Sequence, residues 1–138
     1  MHKTRTPKAS WLITVHGVTN GSDKTGSLSL ANDFFNSAVT YIRIPQGLKA
    51  RIWSVEMTAG TNATTFALQT CPDATSPSWT TVRSWYLAAN SYVEAEKMKR
   101  PIVVGPSRDG KLGIQFTWSQ GSQDALAHLN ATIEIYEP

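Results

Sequence analysis

Short runs in which apolar and polar residues alternate recur along the chain, and this feature constrains its fold most. Successive side chains of a β-strand point to opposite faces, so such alternation is typical of half-buried strands. Turn residues such as Asn20-Gly21 and Pro45-Gln46-Gly47 separate the runs. The runs lie at residues 11–16, 25–30, 39–44, 48–58, 64–70, 79–87, 92–99, 102–104, 112–118 and 126–136. We therefore predict an all-β, single-domain β-sandwich of about eight antiparallel strands, similar to a jelly roll, over residues 11–138.

The composition fits one globular domain of this class. The chain has 138 residues, of which 41% are hydrophobic and 17% are charged, which supplies enough apolar material for a core. No stretch approaches the roughly 18 apolar residues of a membrane-spanning helix, so no membrane association is expected. Residues 1–10 are basic and polar and lack the apolar centre of a signal peptide. We therefore expect synthesis in a host cytoplasm without secretion.

The net charge of +3 is concentrated at the N-terminus. Lys3, Arg5 and Lys8 lie within the first ten residues, and the remaining ten basic residues balance ten acidic ones. A neutral body argues against a nucleic-acid-binding face, and contacts from three cations give only weak, salt-dependent binding. We therefore interpret residues 1–10 as a basic, flexible arm that aids solubility or contacts a neighbouring subunit.

No group of residues has the spacing of a catalytic or metal-binding motif. His2, His16 and His128 have no partner at a metal-ligand spacing, although His16 and His128 could meet across the first and last strands. Cys71 is the only cysteine, which excludes an internal disulfide, and we interpret it as a packing residue. Neither a phosphate-binding glycine loop nor a dinucleotide motif occurs. We therefore expect no enzyme activity, no cofactor and no metal.

Tryptophan is the residue type that points most directly to binding. Five tryptophans occur in the chain, and exposed aromatic rings stack on sugar rings or form protein interfaces, although protein cores use them as well. Trp79, between Ser78 and Thr80 at the edge of a loop, is the strongest candidate for an exposed ring. Trp85 and Trp118 are further candidates for a ligand surface or an interface.

Several stretches in the middle and at the end of the chain share a pattern of strands and turns. They are Ile44–Gly47, Arg51–Val55, Phe66–Asp73, Ser78–Trp79 and Arg100–Val104, followed by Gln115–Ser119 and Thr132–Tyr136. This pattern resembles the small single jelly-roll structural proteins of viruses and phages, of the capsid, cement and spike types. The resemblance implies a self-assembling or capsid-attached subunit, often a trimer, with other capsid proteins as partners and no cofactor.

Three functions remain open from the sequence. The first, which the resemblance favours, is a non-enzymatic structural subunit of a virion that self-associates through its sandwich and its N-terminal arm. The second is a carbohydrate-binding or receptor-binding module that uses exposed aromatic rings. The third is a β-sandwich enzyme, whose activity would depend on His16 or His128.

Overall fold

The structure is a computed structural model of the chain, and it describes residues 8–32, 35, 37–95, 100–123 and 126–138. These residues form ten β-strands and no helix. The strands are β1 (Ser10–Val18), β2 (Thr25–Ser27), β3 (Ile42–Arg43), β4 (Lys49–Thr58), β5 (Thr64–Cys71), β6 (Thr80–Leu87), β7 (Tyr92–Ala95), β8 (Ile102–Val104), β9 (Gly113–Gln120) and β10 (His128–Tyr136). Within the described ranges, no helix has the length and hydropathy that a membrane crossing requires.

The strands pair antiparallel in two sheets. Sheet I has the order β1-β10-β4-β7, with β8 also paired to β4, and sheet II has the order β2-β9-β5-β6, with β3 also paired to β9. β7 and β8 lie beside different parts of β4, and β2 and β3 lie beside different parts of β9, so each pair replaces one longer strand. Counted in this way, eight strands remain, and apart from the consecutive strands β5 and β6, which are neighbours in sheet II, they alternate between the sheets as in a jelly roll. The predicted fold class is confirmed.

The inner faces of the two sheets share one hydrophobic core. In β5 of sheet II, Phe66 and Leu68 are fully buried and Ala67 between them is partly exposed, as the alternation predicted. Phe116 contributes from β9, and Leu129 and Ile133 contribute from β10 of sheet I. Burying a side chain of this size is worth about 1.5–3 kcal/mol. The packing of these chains therefore holds the two sheets together.

Two strand residues depart from simple alternation. Trp11 is in phase with the buried Ile13 but is 45% exposed. Val82 of β6 is 41% exposed, because the pairing of β5 with β6 shifts between Leu68 and Gln69 and leaves Val82 as an extra residue in a β-bulge. Both departures bring apolar side chains to the surface.

The turn predicted at Pro45–Gly47 is present and leads into β4. The amide of Leu48 donates a hydrogen bond to the carbonyl of Pro45 at 3.1 Å. Gly47 adopts a φ of 81°, which residues with a side chain rarely adopt. The turn therefore fixes where β4 begins.

Candidate functional site

A row of uncharged polar side chains crosses the outer face of sheet II. Ser27 Oγ donates a hydrogen bond to Gln115 Oε1 (3.0 Å), and Gln115 Nε2 donates to Gln69 Oε1 (2.7 Å). Gln69 Nε2 in turn donates to Thr81 Oγ1 (3.2 Å). These four residues, which we call the polar ladder, come from the adjacent strands β2, β9, β5 and β6. Their mutual bonds fix the direction in which each carboxamide presents its oxygen and nitrogen.

The surface around the polar ladder is also neutral and rich in hydroxyl groups. Thr117 and Ser119 alternate with buried residues of β9, so they lie on the same outer face as the ladder. On β6, Ser84 is exposed and Tyr86 is 71% exposed. Hydroxyl and carboxamide groups both donate and accept hydrogen bonds. Such a face is chemically complementary to a neutral ligand with many hydroxyl groups.

Trp79 stands at one end of this face. A Cβ atom on Gly113 would lie 3.0 Å from Trp79 Cη2 and 2.8 Å from Ala74 Cβ, so the absence of a side chain at Gly113 lets the loop over residues 72–79 approach β9 closely. The ring of Tyr41 is 6.1 Å from that of Trp79, at an interplanar angle of 54°. Since Gly113 and Gln115 point to the same side of β9, the half-buried Trp79 ring borders the polar ladder.

Asp73 and Cys71 hold the loop that carries Trp79. The amide of Thr75 donates to Asp73 Oδ1 at 2.9 Å, and the Thr75 hydroxyl donates to the same oxygen. These two bonds, the hydroxyl contributing more, lower the pKa of Asp73 below its ordinary value. The buried Cys71 Sγ donates to the carbonyl of Asp73 (3.1 Å) and accepts from the amide of Ser78 (3.2 Å). The environment of Cys71 agrees with its interpretation as a packing residue.

The other two candidate tryptophans point toward the interior. Trp118 is 5% exposed and belongs to the core, and its Nε1 has no hydrogen-bond partner among the described residues. Its assignment as a ligand or interface aromatic is therefore corrected, because β9 is a central strand and its alternation turns Trp118 inward. Trp85 is half-buried and packs against the core from β6. Only part of its ring is available to a partner.

A second surface is an apolar groove of about 730 Å³ at the open end of the sandwich. Trp11 and Ile13 of β1 and Ile135 of β10 line one side, and Tyr41 and Pro45 line the other. We call it the terminal groove. Its volume lies in the range of ligand pockets, but it is open and its lining is mostly apolar. It therefore suits an apolar segment or surface better than a polar small molecule.

The described part of the N-terminal arm runs beside the C-terminus, next to the terminal groove. The amide of Glu137 donates to the carbonyl of Ala9 at 3.0 Å, and Lys8 Nζ donates to the carbonyl of Pro138 at 2.7 Å. Ser10, predicted as the last arm residue, is the first residue of β1. The other two candidate cations, Lys3 and Arg5, lie outside the described residues, so their role stays a prediction.

His16 and His128 meet on the outer face of sheet I. Their rings stack with centroids 5.5 Å apart, and His16 Nδ1 shares a hydrogen bond of 2.7 Å with Asn130 Oδ1. In the part of the chain that the structure describes, no three His, Cys, Asp or Glu side chains are grouped to hold a metal ion. His2 lies outside that part. The stacked pair is thus a surface contact between β1 and β10.

Comparison with known proteins finds similar solved structures at low identity. No protein-family model and no curated protein matches the chain. One similar structure comprises the CBM22-1 and GH10 modules of xylanase 10B from Clostridium thermocellum with xylohexaose, at 13% identity and a TM-score of 0.39, over 92% of this chain and 26% of that chain. Another is infectious bursal disease virus, Gx strain, at 12% identity and a TM-score of 0.39, over 96% of this chain and 38% of that chain. The chain thus spans well under half the length of either neighbour.

The polar ladder is absent from the sequence-based predictions. Gln69 and Gln115 each occupy a polar position in an alternating run, which is the signal they carry in the sequence. That they face each other follows only from the pairing of β5 with β9, in which Gln69 lies opposite Gln115. Alternation predicts the face on which a residue lies and leaves open which residue lies beside it.

Proposed function

We propose that the chain is a non-enzymatic structural subunit of a virus or phage particle, of the capsid, cement or spike type. In this role it associates with copies of itself, as a trimer, and with other capsid proteins. The observation that carries the proposal is the terminal groove, an exposed apolar surface beside the N-terminal arm. Large exposed apolar patches mark interaction sites. The jelly roll occurs in capsid proteins and in lectins alike, so the fold is compatible with this role without deciding it.

Two exposed residues at the start of β1 strengthen the case for self-association. Trp11 is 45% exposed at the groove, and Leu12, on the opposite face of the strand, is 59% exposed. A neighbouring subunit that covers both side chains removes their apolar surface from water, which is worth about 1 kcal/mol or more for each. A contact centred on β1 therefore has an energetic basis in two adjacent residues.

Light scattering coupled to size-exclusion chromatography tests this proposal. We expect the full chain to be a stable oligomer, and Trp11→Ser to lower its mass because the groove loses its largest apolar wall. Leu126→Ser is the matched control, since Leu126 is 57% exposed and lies next to Ala127, whose carbonyl accepts a hydrogen bond from the amide of Thr19, directly after the other end of β1. A full chain that stays monomeric at every concentration, or a Trp11→Ser variant with unchanged mass, would refute the proposal.

The contribution of the arm is separable from that of the body. Because Ser10 belongs to β1 and Ala9 bonds to Glu137, a deletion through residue 10 would also damage the sheet. We therefore choose deletion of residues 2–7, which leaves these contacts intact. A loss of mass with an unchanged melting temperature would support assembly through the arm. An unchanged mass would restrict assembly to the sandwich.

Carbohydrate binding is a second candidate, and the polar ladder beside Trp79 favours it. The half-buried Gln69 carboxamide, which the buried Gln115 holds in place, and the surrounding hydroxyl groups lie next to an aromatic ring, and together they offer hydrogen bonds and a stacking surface to a neutral glycan. We expect Trp79→Ala to abolish retention on a glycan array or a polysaccharide gel. Trp53→Ala is the control, because Trp53 is a half-buried tryptophan of sheet I. An array without hits would exclude this candidate.

A further inference from the structure

The edge strands of the two sheets differ in how well they are protected from pairing with another chain. At the edges of both sheets, β2, β3, β7 and β8 are two to four residues long, and short edge strands are a common protection. β1 is longer, but the amide and carbonyl of His16 both bond to Ala31, at 3.1 and 2.9 Å. β6 has eight residues and, among the described strands, pairs with β5 alone.

β6 also has the composition of a strand that is accessible to a partner. Of its eight residues, only Leu87 is buried and Trp85 is half-buried. Threonine, valine, tryptophan and tyrosine, which favour strands, make up most of its sequence, and Arg83 is its one charged residue. Natural proteins protect long edges with lysine, proline or bulges. β6 has one of these devices, the bulge at Val82.

The bulge divides β6 into two parts. It disturbs the strand around Thr81 and Val82, whereas Arg83–Leu87 pairs regularly with β5, from Leu68 opposite Arg83 to Thr64 opposite Leu87. This regular segment is about 17 Å long at the usual rise per residue. It is therefore the part of the edge that can accept a further strand.

We propose that Arg83–Leu87 pairs antiparallel with the same segment of a second copy of the chain, about a two-fold axis at Trp85. This register joins two copies of sheet II into one continuous sheet, and such a two-fold contact closes after two subunits. This contact is distinct from those within the trimer and joins subunits of different trimers in pairs; the inference extends the self-association described under the proposed function and rests on it.

The side chains of the segment are compatible with this self-pairing. In the proposed register Ser84 lies opposite Tyr86 of the second copy, and the two Trp85 rings face each other, both favourable arrangements for cross-strand neighbours. The two copies of Arg83 lie at opposite ends of the paired segment. The one charged side chain therefore meets no like charge, and no acidic partner is needed to neutralise it.

Two double variants that differ only in the sign of the charge at residue 86 test the register. Ser84→Lys with Tyr86→Glu places lysine opposite glutamate twice across the axis, whereas Ser84→Lys with Tyr86→Lys places lysine opposite lysine twice. Both positions are exposed, so the fold of each variant is expected to persist, which its melting temperature checks. Sedimentation velocity over a concentration series measures the dissociation constant. We expect the Lys/Lys variant to dissociate about tenfold or more readily than the Lys/Glu variant.

The control is Ser119→Lys, an exposed serine of the same sheet that lies on the central strand β9, and we expect it to leave assembly unchanged. Equal association of the two double variants, or dissociation by Ser119→Lys to the same degree, would overturn the β6 contact. If the native chain assembles and Trp11→Ser lowers its mass, but the β6 variants keep the mass of the native assembly, this inference fails and the proposed function stands. If the native chain never assembles, both fail.

Discussion

Gly26 of β2 is a position at which the structure predicts a large effect of adding one methyl group. A Cβ atom there would lie 2.6 Å from Trp118 Cη2, 2.9 Å from Cζ3 and 3.1 Å from Cζ2. Carbon atoms in favourable contact are about 3.5–4.0 Å apart, so the indole must retreat by about 1 Å. Trp118 is 5% exposed and lies opposite the fully buried Phe66. Overpacking of this kind costs about 1–3 kcal/mol.

Thermal unfolding followed by circular dichroism measures this cost. Each kcal/mol lowers the Tm of a domain of this size by about 3–5 °C, so Gly26→Ala is expected to lower Tm by about 3–15 °C. Gly121→Ala is the matched control, because no atom lies within 4 Å of its added Cβ. Its free energy of unfolding is expected to change by less than about 1 kcal/mol. Equal effects of the two substitutions would contradict the clash.

A double-mutant cycle with Trp118→Phe isolates the contact itself. Phenylalanine lacks the outer ring of the indole, which supplies all three short contacts to Gly26. We therefore expect Gly26→Ala to cost at least about 1 kcal/mol less in the Trp118→Phe background than in the native chain. Additivity of the two substitutions within about 0.5 kcal/mol would refute the reasoning, because independent sites behave in that way.

Two further predictions concern electrostatics. Thr75→Val removes the hydroxyl bond that lowers the pKa of Asp73, so carboxyl titration by NMR should show that pKa moving up toward its ordinary value. Because the pKa of Asp73 is lower in the folded chain than in the unfolded chain, the ionised carboxylate stabilises the fold at pH values above the unfolded pKa. The difference in free energy of unfolding between the native chain and Thr75→Val should therefore shrink as the pH falls through the pKa of Asp73 in the folded chain. Glu134 Oε1 accepts hydrogen bonds from Arg51 Nη1 (3.3 Å) and Trp53 Nε1 (3.0 Å). Glu134→Gln should lower the free energy of unfolding by at most about 1 kcal/mol, and by less at high salt. Denaturant titration at two ionic strengths checks this.

The strands were predictable from the sequence because burial alternates along them. β5 and β10 carry buried residues at every second position over most of their length, and this pattern survives in any sandwich. Which strands lie side by side was not predictable in the same way. β7 and β8 pair with different parts of β4, and alternation within each run does not record that both lie beside the same neighbour.

Binding surfaces were harder to predict than strands. Trp79 was identified because it lies in a loop margin, and the structure places it at the end of a polar face. Trp118 has the same chemistry, yet it is buried, because it is in phase with Ile114 and Phe116 on the face of β9 that meets the core. Gln69 and Gln115 become neighbours through the register between two strands that are distant in the sequence. Such relations are properties of the assembled sheet.

The pairing of β1 with β10 has a consequence for how the chain is made. Ser10 lies opposite Tyr136, and Val18 lies opposite His128, so β1 finds its neighbour in sheet I only after β10 has been synthesised. At ordinary rates of translation, β1 leaves the ribosome roughly 6–25 s before β10 does. During this interval Ile13 and Val15, which the finished sandwich buries, remain in contact with solvent or with a chaperone. Pairing over such distances also slows folding, so the closing of sheet I is the step most exposed to misassembly.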